Sequence, residues 1–154
     1  MAESKFSSVA PELLAFLRPY GSEVSNLFLQ SRQAVRDAAP NVNELIYDAY
    51  NAVSCAFSYS DRLNDAFCHV AAYNGYVNLG FNQGANLADP HKLLMGDGLL
   101  IRHIRISKTS DLNRLGIAQL LKLAVTQGKM QCKDNTYRNA IIIKSTSGAK
   151  RRPV

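Results

Sequence analysis

The chain opens with two segments in which apolar residues recur at helical spacing. Pro11 begins the shorter one, and proline suits the first turn of a helix because its missing N–H has no partner there anyway. The longer segment, 22–38, carries one apolar stripe, and Ser22 is a suitable N-cap. Arg32 and Arg36 lie near its C-terminal end, where the helix dipole favours cations. Two N-terminal helices are therefore predicted.

The spacing then changes from the helical period to the alternation of a strand. Residues 45–60 include an alternating run, and the segments 67–73 and 76–82 flank the pair Asn74-Gly75. An Asn-Gly pair between alternating segments is the strongest short signal for a β-hairpin with a type I′ turn, which needs positive φ at both residues. The central part of the chain is therefore predicted to form an antiparallel sheet.

A two-residue turn fixes which residues of the hairpin stand opposite each other. One face then holds the pairs His69–Gly80, Ala71–Asn78 and Tyr73–Tyr76, and the other holds Cys68–Phe81, Val70–Leu79 and Ala72–Val77. The second face is wholly apolar, so it is predicted to pack on the helices. The first face is polar and aromatic. It is exposed to solvent, or it binds a ligand, or another segment of the chain covers it, and 129–143 is the candidate for that segment.

The second half of the chain continues with a loop, a strand and a helix. The loop spans 83–98, the strand 99–107, and a helix over 111–127 follows a Thr or Ser cap and ends at Gly128. A short strand at 140–143 is also predicted. The fold class is α+β: an antiparallel β-sheet packed on one face by N- and C-terminal helices, in one domain spanning 1–154.

Composition and cysteine usage narrow the class of protein. Apolar residues make up 47% of the chain and charged residues 19%, which is typical of a globular domain. No apolar run is long enough for a membrane span or a secretory leader, so a cytoplasmic protein without membrane contact is expected. The three cysteines form no CxxC pair, which argues against a disulfide framework or a zinc knuckle.

Charge is distributed unevenly between the two parts of the chain. Residues 1–99 hold 6 Lys/Arg and 10 Asp/Glu, whereas residues 100–154 hold 12 Lys/Arg and 2 Asp/Glu. The basic C-terminal extension, 129–154, includes Lys144, Lys150, Arg151 and Arg152. It is either a solvated tail or the source of weak, salt-dependent contacts with nucleic acid.

Several motifs in the middle of the chain occur together and in order. They are the run ELIYDAY, the segment CHVAAYNGYVNLGFNQGANLADP, the Gly-Asp-Gly before Ile-Arg-His-Ile-Arg, and the leucine-rich helix that follows. Over residues 24–127 this arrangement resembles the YdhG-like family, a domain of unknown function. The resemblance implies an antiparallel sheet covered on one side by terminal helices, and one branch of the family is described as frataxin-like and linked to intracellular iron handling.

The polar face of the sheet and the loop beside it supply the candidate site residues. His103 and Arg105 share a face, and with the neighbouring amides they predict a pocket for a small anion such as a carboxylate or phosphate, unless that face is simply solvated. The candidate ligand-binding residues are Tyr73, Asn78, Asn82, Gln83, Gly84, Asp97, Arg102 and Arg105. His69 and His103 are the candidate metal ligands, on the condition that their strands are neighbours.

No sequence motif indicates catalysis. Gly96-Asp97-Gly98 lacks the Lys and Ser/Thr of a phosphate-binding loop, and no nucleophile motif or dinucleotide fingerprint occurs. The sequence therefore predicts a small non-enzymatic binding protein without a fixed cofactor, for which iron is the metal that the resemblance suggests. The alternative is a nucleic-acid-associated protein acting through its basic tail, and a homodimer on the aromatic face is a further expectation.

Overall fold

The structure is a computed structural model that describes residues 6–49, 52–132 and 139–146. Its helices are α1 (Pro11–Leu17), α2 (Gly21–Ala38) and α3 (Ile117–Gln131). Its strands are β1 (Asn43–Asp48), β2 (Val53–Ser58), β3 (Cys68–Tyr73), β4 (Tyr76–Phe81), β5 (Arg102–Ile106) and β6 (Ile141–Thr146). In this part of the chain no helix is both long and apolar enough to cross a membrane.

The six strands form one sheet in the order β5-β4-β3-β2-β1-β6. The first five are antiparallel neighbours, which confirms the predicted α+β fold. The strand predicted at 140–143 is confirmed as part of β6, which pairs in parallel with β1. β6 is thus the edge strand of the sheet, next to β1. Residues 139–143 therefore do not cover the polar face of the sheet, which was one of the alternatives predicted from the sequence.

The hairpin of β3 and β4 has the register that the sequence predicts. All six predicted cross-strand pairs are present, from Cys68–Phe81 to Tyr73–Tyr76. The turn itself differs from the prediction, because Gly75 has a φ of 88° whereas Asn74 is not among the residues with positive φ. A positive φ at the second central position alone is the pattern of a type II turn, for which glycine at that position suffices.

The core lies between the helices and one face of the sheet. α2 contributes the buried stripe Val24, Leu27, Phe28 and Val35, and α3 contributes Ile117, Leu120 and Ala124. The strands contribute Cys55, Phe57, Val70, Ala72, Leu79 and Ile104. The side chains that the hairpin register placed on its apolar face are therefore buried under the helices, as predicted.

The third helix begins later than the sequence pattern predicts. A 3₁₀ turn occupies Thr109–Asn113, where the Asp111 carboxylate accepts hydrogen bonds from the amides of Ser107 and Lys108. α3 starts only after Gly116, whose φ of 104° interrupts the helical path. Gly128, predicted as the residue that ends this helix, lies inside α3 and is buried.

The alternating run predicted within 45–60 is confirmed as β2, which pairs with β1. Two other local predictions are wrong in detail. The strand predicted from residue 99 starts at Arg102, so 99–101 belong to a loop. Ser22 makes no capping bond, because α2 already begins at Gly21 after a 3₁₀ turn.

Candidate functional site

The face of the sheet opposite the helices carries the candidate site, and we refer to it as the helix-free face. Strand pairing places on it the side chains of Tyr47, Ser54, Ala56, His69, Ala71, Tyr73, Tyr76, Asn78, His103 and Arg105, with Gly80 at its centre. A small apolar cluster of Leu45, Ala56 and Ala66 lies on this side, separate from the main core. The helix-free face is thus covered only by loops and short turns among the described residues.

An open cleft of ≈ 720 Å³ lies on this face, within the size range of ligand sites. Its floor is formed by Tyr47, Ser54, Ala56 and His69 of the sheet. One wall is Leu63, Asn64 and Ala66, and the other is the loop 98–101, with Asn82 and Gln83 at the polar end. The small side chains of Ser54 and Ala56 leave the depth that larger residues on β2 would fill.

His69 is fixed at the polar end of the cleft by a neighbour that has no side chain. A Cβ built on Gly80 would lie 2.6 Å from Cδ2 of the His69 ring and closer still to Nε2, so the ring rests over the glycine backbone. The ring Nδ1 is 2.9 Å from the side-chain oxygen of Asn82. With that oxygen accepting, Nδ1–H donates and Nε2 of the neutral ring remains an acceptor.

The pKa of His69 lies below its ordinary value. Burial is the main cause, and the positive charge of a protonated His103 lowers the pKa further, while the hydrogen bond to Asn82 opposes both effects. The pKa of His103 is also lowered, first by burial and then by the Arg105 guanidinium. His69 is therefore a neutral hydrogen-bonding group at neutral pH.

Three predicted ligand-binding residues lie together at the hairpin end of the helix-free face, away from the cleft. The rings of Tyr73 and Tyr76 stack with centroids 5.3 Å apart, and the Arg105 guanidinium lies 3.9 Å from the centre of the Tyr76 ring. Asn78 stands opposite Arg105, and its side-chain oxygen is buried without a hydrogen-bond partner among the described residues. Tyr73, Asn78 and Arg105 therefore form a second polar cluster.

The other three predicted ligand-binding residues do not line the cleft. Arg102 lies on the helix-covered face, and its Nη1 donates to the carbonyls of Gly98 and Ile101 at 2.6 and 2.8 Å, which holds the 98–101 loop in place. Gly84 packs against Arg102, because a Cβ there would be 2.5 Å from the arginine Cβ. Asp97 is exposed in the preceding loop. The guanidinium groups of Arg102 and Arg105 do not converge.

The two candidate metal ligands share the helix-free face. His69 on β3 and His103 on β5 both stand beside Gly80 of the intervening strand. The described residues contain no group of three or more His, Cys, Asp or Glu side chains arranged to hold a metal ion. Any metal bound here would therefore have two protein ligands from these strands and would draw its remaining ligands from elsewhere.

Sequence reasoning missed most of the cleft walls. Leu99, Leu100 and Ile101 are 96%, 47% and 53% exposed, although the apolar run was assigned to a strand. The available signal was that this run does not alternate, unlike Ile104 and Ile106 after it. Leu63 is 48% exposed and no pattern singled it out. Of the predicted residues, His69, Asn82 and Gln83 do line the cleft.

Acidification is expected to destabilise the fold through His69 and His103. Because both folded-state pKa values lie below the ordinary 6.5, the unfolded chain binds protons more readily as the pH falls below that value. The free energy of unfolding should be highest above about pH 6.5 and decrease toward about pH 5. Urea unfolding followed by circular dichroism measures this slope. It should be shallower in His69→Gln, and equal slopes would contradict the assignment.

Comparison with known proteins adds no further assignment. No family model matches the chain, and neither the curated proteins nor the solved structures include a match. The YdhG-like resemblance therefore stays an inference from the sequence motifs, and the function has to be argued from the cleft.

Proposed function

We propose that this chain is a non-enzymatic binding protein that takes a small molecule into the cleft on its helix-free face. The observation that carries the proposal is a cleft of ≈ 720 Å³ that is lined mainly by apolar residues and by a few hydrogen-bonding side chains, namely Tyr47, Ser54, Asn64, His69, Asn82 and Gln83. Ligand sites typically combine apolar walls with a few placed polar groups. The proposal agrees with the small-domain architecture that the YdhG-like resemblance implies.

The lining offers little for acid–base or nucleophilic chemistry. General acid–base catalysis needs a titratable group positioned with a partner, and nucleophilic catalysis needs a nucleophile beside a base. His69 is directed to the amide Asn82, and no hydrogen bond joins it to Ser54 within the described residues. Within residues 6–49, 52–132 and 139–146, no Asp, Glu, Lys, Arg or Cys lines the cleft. A binding role therefore accounts for this geometry better than an enzymatic one.

Iron handling is the second candidate, carried by the placement of His69 and His103 on either side of Gly80. An anaerobic calorimetric titration with ferrous iron, in the wild type and in His69→Ala/His103→Ala, tests it separately from the cleft. Micromolar binding that disappears in the double variant supports iron. Of the basic residues behind the nucleic-acid alternative, Lys144 lies in β6, whereas Lys150, Arg151 and Arg152 lie outside the described residues.

Filling the floor of the cleft is expected to remove ligand binding without unfolding the protein. Ser54 is half-buried on the cleft floor, so Ser54→Leu adds volume where a ligand would lie. With Nile red, a neutral apolar dye, as the probe, we expect a saturable fluorescence increase in the wild type and an affinity lower by about tenfold or more in the variant. Circular dichroism and thermal unfolding check that the variant is folded.

Ser22→Leu is the matched control, because Ser22 is exposed at the start of α2, on the other side of the sheet. It should bind Nile red as the wild type does. Equal losses in both variants, or an affinity that Ser54→Leu leaves unchanged, would show that the dye binds elsewhere and would contradict the proposal.

A further inference from the structure

Among the described residues, the cleft lining contains no side chain that carries a formal charge at neutral pH. His69 is the one histidine in this part of the lining, and Asp, Glu, Lys and Arg are absent from it. The arginines near the lining residues in sequence have partners outside the lining side chains: Arg62 pairs with Asp65, Arg102 donates to the carbonyls of Gly98 and Ile101, and Arg105 lies over the ring of Tyr76. A charged ligand entering the cleft would lose hydration without gaining an ion pair, which is strongly unfavourable.

The polar end of the cleft offers both donors and acceptors on flat groups. The side-chain amide of Gln83 makes no hydrogen bond within the described residues, and Asn82 uses only its oxygen, toward His69. A ligand head that is planar and both donates and accepts, such as a carboxamide or the edge of a neutral nucleobase, matches these groups.

The remainder of the cleft suits an apolar body. Leu63, Leu99, Leu100 and Ile101 stand at its rim with roughly half or more of each side chain exposed. Exposed apolar groups beside a cleft lose contact with water when a ligand covers them, which favours binding. The low floor at Ser54 and Ala56 leaves room for a flat ring system or an alkyl chain.

We infer that the ligand of this cleft is an uncharged amphipathic molecule, with an apolar body between the 63–66 and 98–101 walls and a planar hydrogen-bonding head at Asn82 and Gln83. This inference rests on the proposed function and narrows it to a ligand class. It replaces the small anion expected from the sequence, because none of the cationic side chains that the structure describes lines the cleft.

Three probes that share a naphthalene body and differ in head group test the ligand class. They are the neutral naphthalene carboxamide, the anionic naphthoate and the cationic naphthylmethylammonium, each titrated at neutral pH by calorimetry and ligand-detected NMR. We expect the Kd of the carboxamide to be lower than the Kd of either charged probe by about tenfold or more. The reason is that the charged head groups lose hydration in the cleft without gaining an ion-pair partner. Ser54→Leu should abolish this binding.

Gln83→Met is the variant that examines the polar end, since methionine keeps the length of glutamine and removes its amide. The carboxamide should bind about threefold to tenfold more weakly to it. Gln119→Met, at an exposed position of α3, is the matched control and should bind like the wild type. An unchanged affinity in Gln83→Met would overturn the assignment of the head group to this end.

The outcomes separate the ligand class from the cleft function itself. If naphthoate or the ammonium probe binds as tightly as the carboxamide and Ser54→Leu still abolishes binding, the cleft function stands and the neutral class is overturned. If Ser54→Leu weakens the binding of neither Nile red nor any of the three probes, both the neutral ligand class and the proposed function of the cleft are overturned.

Discussion

Replacing Glu44 with leucine is expected to lower the free energy of unfolding by about 3–5 kcal/mol, the cost of leaving a buried charge without its partner. The Glu44 carboxylate is fully buried and accepts from Nε of the equally buried Arg32, with both oxygens at 2.9 Å. Arg36 adds a second ion pair at 2.9 Å. Urea unfolding followed by far-UV circular dichroism is the measurement, since the chain has no tryptophan.

A double variant distinguishes a buried charge from a lost packing contact. Arg32→Met/Glu44→Leu removes both charges while keeping the volume, so it should recover much of the stability that the single variant loses. Glu12→Leu, at an exposed position of α1, is the control and should change stability by no more than about 0.5 kcal/mol. A loss below about 1 kcal/mol in Glu44→Leu would mean that Arg32 finds water or another partner.

This ion-pair cluster also connects distant parts of the chain. Arg32 donates to the carbonyl oxygens of Ser7 and Ser8, which ties the N-terminal segment to α2. Arg36 donates to the side chain of Asn139 at 2.8 Å, next to β6. The segments most distant in sequence therefore share one buried carboxylate, so its loss should loosen both.

The thiol of Cys55 completes the cluster. Its sulfur lies 3.1 Å from Oε2 of Glu44, the carboxylate oxygen that Arg36 does not contact. Burial, followed by the negative charge of Glu44, raises the pKa of this thiol well above its ordinary value. A thiol held protonated in a buried site is a poor nucleophile. All three cysteines are free and buried, as expected from the absence of paired cysteine motifs.

The parts of the fold that sequence predicted well are those decided by neighbouring residues. The hairpin register follows from a two-residue turn, and the alternation then determines which side chains the helices cover. α2 follows from one apolar stripe. In each case the deciding residues lie within one or two turns or strands of each other, so no knowledge of the tertiary structure was needed.

What the sequence could not show depends on partners brought together by folding. Arg32 was assigned to the helix dipole, whereas its partner Glu44 belongs to a strand 12 residues away. The β6 edge strand pairs with β1 across almost 100 residues, as the bond from Glu44 N to the Ala140 carbonyl illustrates. Such long-range pairs leave no local signature, because an arginine on an amphipathic helix is ordinarily solvated.

The candidate site was predicted only in part, for the same reason. His69 and Asn82 were found because the polar face of a hairpin is visible in its alternation. The walls of the cleft come from the segments 63–66 and 98–101, and the Arg102 contacts to the carbonyls of Gly98 and Ile101 hold the second of them. Backbone acceptors of this kind are not encoded by residue type, so Arg102 was expected to face a ligand instead.

Gly128→Leu should lower the free energy of unfolding by about 3 kcal/mol, at the upper end of the usual cost of overpacking a core. Gly128 lies inside α3, where a Cβ would be 2.7 Å from Cγ of the Phe67 ring and closer still to Cδ1. Phe67 is itself 2% exposed and stacks on Tyr59 with ring centroids 5.4 Å apart, so it has little room to move. Thermal and urea unfolding measure the loss.

Two comparisons show whether the loss comes from this contact. Ala118→Leu, at an exposed position of the same helix, should change stability by no more than about 0.5 kcal/mol. Glycine inside a helix ordinarily costs about 1 kcal/mol relative to alanine, so Gly128→Ala would be stabilising if the site were unconstrained. Destabilisation by Gly128→Ala, reduced in a Phe67→Leu background, identifies the close approach of α3 to Phe67 as the reason for glycine. Stabilisation would show that the helix can shift away from the ring.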